Sequence, residues 1–289
     1  MKKFAYAWIL MVLLLTGCRQ EESVYVAEEE LVTLNYRISP QNDGQARSVS
    51  EQTLVVNKLR CEIYEVTVND NDTLYTLIRT DIIDKNVDIS QSYFTYSVSL
   101  FKNVEYRIVF WAYYQSPENK VYYEWDESLG LRAITVNSSF REESAGVYED
   151  AFTAVVKKEK NKLIESLVNV KLTRPMGLVS VSTTKERWDK FLEKNKVPST
   201  SKLVLTGFYD KYDALLRQWS STGSEKIEYH SVASSSDYVL ANELVFANGN
   251  SRCDIYIYDD SLSPLQIYTC TLWAFPIETN KRTNVKPEE

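Results

Sequence analysis

The sequence predicts an all-β protein, two antiparallel β-sandwich domains with one short helix in the second. Short stretches of apolar residues recur with period two, turns rich in Asn, Asp, Ser and Pro separate them, and only one segment combines helical spacing with a cap. At 289 residues the length suits about two domains, each able to bury its own core.

The first strand alternates Val32, Leu34, Tyr36 and Ile38 with polar neighbours. Leu59, Cys61 and Ile63 repeat the pattern, and Leu74 to Arg79 and Tyr93 to Leu100 continue it. Tyr106, Ile108, Phe110 and Ala112 follow, then Val121 to Trp125 and Val168 to Leu172. Later candidates are Leu203 to Tyr209, Tyr238 to Phe246, Cys253 to Tyr258 and Gln266 to Phe275. Thr183 with Glu186 forms a capping box for a helix whose Trp188, Phe191 and Leu192 share a face, and Asn195 and Pro198 end it. Tyr212, Leu215, Leu216 and Trp219 have helical spacing but fit a twisted strand equally. The charged segment Lys157 to Lys162 marks the boundary between domains at 28–162 and 163–289. No repeat of solenoid period is visible.

Residues 1–17 read as a signal, with Lys2 and Lys3 before an apolar run, Phe4 to Thr16, too short to span a bilayer. Its end, Leu15-Thr16-Gly17-Cys18, resembles the lipobox of bacterial lipoproteins, which implies lipidation of Cys18 and a tether over 18–27. Arg19-Gln20-Glu21-Glu22 resembles the acidic export tract of Bacteroidetes surface lipoproteins, which implies a lipid-anchored place on the outer membrane, facing outward. Loss of the two lysines takes the formal charge from −7 to −9, so nucleic acid is not an expected partner.

Cys61, Cys253 and Cys270 then remain, with His230 alone to help them, and this is no zinc pattern. A symmetric hairpin about Asp259 to Pro264 would set Cys253 opposite Cys270, which makes a disulfide feasible; two separate buried thiols are the alternative.

Catalytic constellations are sparse. His230 has no nucleophile elbow to serve, and Ser199-Thr200-Ser201-Lys202 lacks the companion motifs of penicillin-recognising enzymes. Asn69-Asp70-Asn71-Asp72 lacks the glycine and glutamate of a calcium loop and reads as a tight turn. With eight glycines and no phosphate-cradling pattern, the expectation is no enzyme, no metal and no cofactor. The aromatic content stands out, with 20 tyrosines and six tryptophans. Tyr113, Tyr114, Tyr122, Tyr123 and Trp125 flank one turn, where they serve either as a stacking platform for a glycan or protein, or as cross-strand packing.

Phe110-Trp111-Ala112, Asp150-Ala151-Phe152, Leu172-Thr173-Arg174-Pro175, Tyr238-Val239-Leu240-Ala241-Asn242 and Asn280-Lys281-Arg282-Thr283-Asn284-Val285 occur in an order that resembles the fimbrillin-like lipoproteins of Bacteroidales, the subunits and anchors of type V pili. The resemblance spans nearly the whole mature chain and implies two transthyretin-like sandwiches in a surface lipoprotein. It also implies pilus subunits as partners by strand addition, after a cut at an arginine beyond the first strand. Arg47, in the polar loop Pro40 to Ser50, is the matching position. The family's stalk subunits continue past the Arg-Thr-Asn motif with an apolar strand, whereas this sequence ends Lys286-Pro287-Glu288-Glu289; the expectation is therefore an anchor, terminal or accessory component, or an adhesin. Asp72-Thr73-Leu74 and Asp260-Ser261-Leu262 resemble the Bacteroidetes O-glycosylation sequon, with Thr73 and Ser261 as acceptors. A glycan-binding lipoprotein is the runner-up, and a hydrolase built on His230 the third reading.

Overall fold

The computed structural model describes residues 30–40, 56–70, 72–84, 93–137, 150–162, 167–221, 226–246, 251–262, 265–275, 277–279 and 281–286. The chain begins with β1 (Leu31–Pro40), β2 (Lys58–Asn69), β3 (Asp72–Asp84), β4 (Phe94–Phe101) and β5 (Tyr106–Tyr113). It continues with β6 (Tyr123–Asp126), β7 (Gly130–Val136), β8 (Ala151–Lys158) and β9 (Val168–Leu172). Asp70, at a φ of 47°, turns β2 into β3, a left-handed conformation that Asp tolerates better than most residues.

Two sheets build the first sandwich. One runs β4-β1-β9, with β1 antiparallel to β4 and parallel to β9; the other runs β3-β2-β5-β8, antiparallel throughout. Their facing sides supply Leu34, Tyr36 and Ile38 from β1, Cys61 and Ile63 from β2, Tyr96 from β4 and Phe110 from β5. This alternation is the one legible in the sequence. β9, beyond the charged segment Lys157 to Lys162, completes the sheet that β1 centres.

The second sandwich comprises β10 (Met176–Ser182), α1 (Lys185–Glu193), β11 (Thr200–Thr206), β12 (Lys211–Asp213), β13 (Gln218–Ser220) and β14 (Lys226–Val232), then β15 (Val239–Phe246), β16 (Ser251–Asp259), β17 (Leu265–Phe275) and β18 (Arg282–Val285). Its sheets run β15-β10-β18 and β14-β11-β16-β17. The central strand β10 is again antiparallel to one neighbour, β15, and parallel to the last strand, β18. The topology of the first sandwich is therefore repeated, without a repeat in the sequence.

The helix starts one residue later than the capping box suggests. Thr184 is the N-cap and accepts from the Arg187 N–H at 3.2 Å, while Glu186 pairs with Lys190 at 2.8 Å. Trp188 is the helix residue that enters the core, and Leu192 is exposed. Asn195, at a φ of 53°, ends the helix as expected. The ambiguous stretch Tyr212 to Trp219 is neither helix nor single strand but the β12–β13 hairpin, turned through Arg217 at a φ of 55°.

Each sandwich carries one insertion, β6–β7 in the first and β12–β13 in the second. These pair with each other in a third sheet, β13-β12-β7-β6, with Lys211 opposite Thr135 and Tyr212 opposite Ile134. Beneath it lies a third core joining both halves, in which Tyr64 and Trp111 meet Tyr123, Tyr212, Met176 and Phe246.

Candidate functional site

The slot that β1 occupies offers two backbone ladders and an apolar core wall. β1 is hydrogen-bonded on both sides, from Leu31↔Phe101 to Ile38↔Phe94 along β4 and from Tyr36↔Val168 to Pro40↔Leu172 along β9. Leu34, Tyr36 and Ile38 point into the core while Thr33 and Asn35 face out, where their side chains bond Ser99 at 3.0 Å and Ser97 at 2.7 Å. The Tyr36 ring lies 6.3 Å from Tyr96 and 5.4 Å from Phe110. Burial, then the neighbouring Cys61, pushes the Tyr36 phenol well above its usual range, so it stays neutral. Burying these three side chains contributes roughly 5–9 kcal/mol, and the ladders on either side fix the register.

Both ends of the slot are pinned. At one end the Lys158 ammonium donates to the carbonyls of Phe101, Lys102 and Val104, each at 2.6 Å, which holds the turn leaving β4. At the other, Arg174 donates to both carboxylate oxygens of Asp150 at 2.5 and 2.6 Å and stacks over Phe152 at 4.9 Å. The Thr153 and Thr173 backbones exchange hydrogen bonds at 2.8 and 2.9 Å beside it. Two motifs separated in sequence, Asp150-Ala151-Phe152 and Leu172-Thr173-Arg174-Pro175, thus form one clasp.

The other predicted positions are scattered. Cys18 and Arg47 lie outside the described residues. Thr73 is exposed at the start of β3, and Ser261 is exposed after β16, its hydroxyl donating to Asp259 at 2.5 Å. Among the platform aromatics, Tyr113, Tyr122 and Tyr123 are buried in the third core, Tyr114 is half-buried, and Trp125 packs against that core with Arg60 4.6 Å above its ring. Tyr113 meets Trp125 edge-on at 5.4 Å, Tyr122 meets Tyr123 at 5.0 Å and Tyr123 lies 6.0 Å from Phe246, so these three rings are turned inward. The β16–β17 register sets Cys253 opposite Leu272 and Cys270 opposite Ile255, and the sulfurs are free thiols. The hairpin is offset from the symmetric one, with an irregularity at Ile257/Tyr258 between the turn and Cys253, so the cysteines are diagonal neighbours rather than opposed. His230 is half-buried on β14 opposite Lys202 of β11. Among the described residues no cluster of His, Cys, Asp or Glu is arranged to hold a metal ion, and no helix is long and apolar enough to cross a membrane.

Glu62 is a residue that sequence reading missed. Fully buried on the outer face of β2, it accepts from Arg60 at 2.7 Å, the Tyr64 hydroxyl at 2.5 Å and the Leu131 N–H at 2.8 Å, and so fastens β7 to the first sandwich. Only its spacing from Arg60 and Tyr64 along one strand face hinted at the network.

The sequence profile of DUF6562, a family of unknown function, matches residues 24–288. The chain belongs to the DUF6562 family. No curated protein matches it. A candidate cell adhesion protein from Bacteroides eggerthii superposes on this DUF6562 chain with a TM-score of 0.50 at 10% identity, over 89% of this chain and 85% of that one. A candidate adhesin from Bacteroides thetaiotaomicron gives 0.48 at 9% identity, over 85% and 81%. The C-terminally truncated tip fimbrial protein Mfa3 from Porphyromonas gingivalis gives 0.46 at 9% identity, over 88% and 94%. At such identities the likeness is one of fold, and the first establishes that this DUF6562 chain shares its two-sandwich architecture with a solved Bacteroides protein.

Proposed function

We propose that this protein is a surface lipoprotein of fimbrial type, anchored in the outer membrane through a lipid on Cys18, that acts by assembly or adhesion. It serves as an anchor, terminal or accessory component and takes its partner by strand addition. The observation that carries the reading is the placement of β1, a central strand with three core side chains, one parallel and one antiparallel neighbour, and Arg47 in the sequence beyond its C-terminal end. A strand so held can be replaced by another of the same alternation, because the slot supplies both backbone ladders and the pockets for alternate side chains. The shared fold with the candidate cell adhesion protein from Bacteroides eggerthii supports the same reading. A glycan platform is less favoured by the geometry, since Tyr113, Tyr122 and Tyr123 are interior.

Changing Cys18 to Ala should move the protein from the outer-membrane fraction to the soluble fraction; retention in the membrane would count against the anchor. A chain cut after Arg47 should bind a labelled peptide of β1 sequence, read by fluorescence anisotropy, while the uncut chain does not. Equal binding by both would remove strand exchange at this slot.

A further inference from the structure

β3 is the outermost strand of its sheet, and among the described residues nothing pairs with its free edge. Long edges of this kind are usually blunted by charge or cover. Here Ile78 and Ile82 are 46% and 55% exposed, and the Arg79 side chain is half exposed. We infer that this edge associates with the same edge of a second copy of the chain, the two β3 strands pairing antiparallel about a two-fold axis at Thr80.

Charge and shape complementarity select both the partner and the register. The pleat requires opposed residues to lie on one face, so an axis between two identical strands must pass through a residue pair of identical number. Centred on Thr80, the pairing sets Ile78 opposite Ile82 and Arg79 opposite Asp81, each twice. The bulge at Ile78 puts Leu77, opposite Tyr64, and Arg79, opposite Ile63, on different faces, so an axis at Ile78 or Arg79 cannot carry a regular pairing across it, and an axis at Asp81 sets Ile78 against Asp84. Only the Thr80 axis gives apolar opposite apolar and cation opposite anion together.

The charged pair is already in place. Arg79 donates to Asp81 at 2.7 Å within the chain, and the Tyr96 hydroxyl fixes the same carboxylate oxygen at 2.6 Å. Asp81 lies opposite Cys61 on β2 and Arg79 opposite Ile63, so both project from the side of the sheet that faces the first core. Two copies would close an Arg–Asp–Arg–Asp ring on that side, with the isoleucines on the other. The bulge between Ile63 and Tyr64 leaves Ile78 without a partner on β2 and interrupts the regular pleat there, so the paired stretch is short and the dimer weak.

The test is analytical ultracentrifugation of the full chain carrying Cys18→Ala, which keeps it free of lipid, over concentrations up to about 1 mM. Wild-type β3 should give a concentration-dependent dimer. Arg79→Asp and Asp81→Arg should each weaken dimerisation at least about tenfold, because each places two like-charged pairs in the interface. An equimolar mixture of these two variants should regain dimers, since both opposed pairs are then complementary. Circular dichroism and unfolding midpoints identify any variant that has lost its fold; Ile82→Lys, on the opposite face, then replaces it as the interface probe. A wild-type monomer throughout the range, variants that dimerise like wild type, or a mixture that stays monomeric would overturn the proposal. The fimbrial reading is untouched by any of these outcomes.

Discussion

Replacing Gly130 with Ala should destabilise the protein by about 2.5–5 kcal/mol, far beyond the usual effect of a glycine-to-alanine change. Gly130 opens β7 with a φ of 57°, where an L side chain costs about 1–2 kcal/mol. A Cβ there would also lie 2.5 Å from both carboxylate oxygens of Glu62. That carboxylate is fully buried and accepts from Arg60, Tyr64 and the Leu131 N–H, so it has no solvent to retreat into. Losing one such charge-assisted hydrogen bond costs about 1.5–3 kcal/mol, which brings the sum to the stated range. Urea unfolding followed by tryptophan fluorescence and circular dichroism measures the loss. A double-mutant cycle separates the causes: with Glu62→Ala in place, Gly130→Ala should cost only the backbone term of about 1–2 kcal/mol. A single-variant loss below about 1 kcal/mol, or no coupling between the two sites, would refute the packing described for β7.

Two further predictions concern the second sandwich. The Asp259 carboxyl is held below its usual range by the Ser261 hydroxyl and then by the Val197 and Ser261 N–H groups. Its folded pKa lies below the unfolded value, so its stabilisation is full above about pH 4 and is lost as pH falls through the folded value. The gap in urea midpoint between wild type and Asp259→Asn should therefore narrow between about pH 5 and pH 2, and a gap independent of pH would contradict the assignment. Burial, then the neighbouring Cys270, pushes the Cys253 thiol up to about 12, and burial also raises Cys270. In the native protein at pH 8 iodoacetamide should label the half-buried Cys270 before Cys253, and both promptly once unfolded; a pair that resists labelling after unfolding without reductant would reveal a disulfide instead.

Strands that bury one face were legible because their alternation is written in the residues. β1 and β4 are examples, each sending every second side chain into the first core. β10 was not legible, because Met176 to Val181 are all buried, and a strand covered on both faces has no period to read. β7 and β8 are obscured in the same way over much of their length. The aromatics around the β5–β6 connection were visible as a cluster, but their environment was not. What covers Trp111 and Tyr123 includes Tyr212 and Phe246, contributed from the other sandwich, and no local pattern announces a lid so distant in sequence. The Cys253–Cys270 register failed for a related reason, since hairpin irregularities shift pairing without leaving a mark in the alternation.

The duplicated topology contains two central strands, β1 and β10, yet they are not equivalent for the proposed exchange. β1 supplies Leu34, Tyr36 and Ile38 to the first core and nothing to the third. The third core sits on the opposite face of the β3-β2-β5-β8 sheet, through Tyr64, Val109 and Trp111. Replacing β1 therefore leaves the joint between the sandwiches intact, including the backbone link from the Ala214 N–H to the Leu131 carbonyl at 2.9 Å. β10, by contrast, gives Val179 and Val181 to the second core and Met176 to the joint, while its neighbour β15 gives Phe246. Removing β10 would open both cores at once. The insertions that consumed the aromatic residues thus make one sandwich a fixed base, and the proposed exchange in the other would not part the molecule.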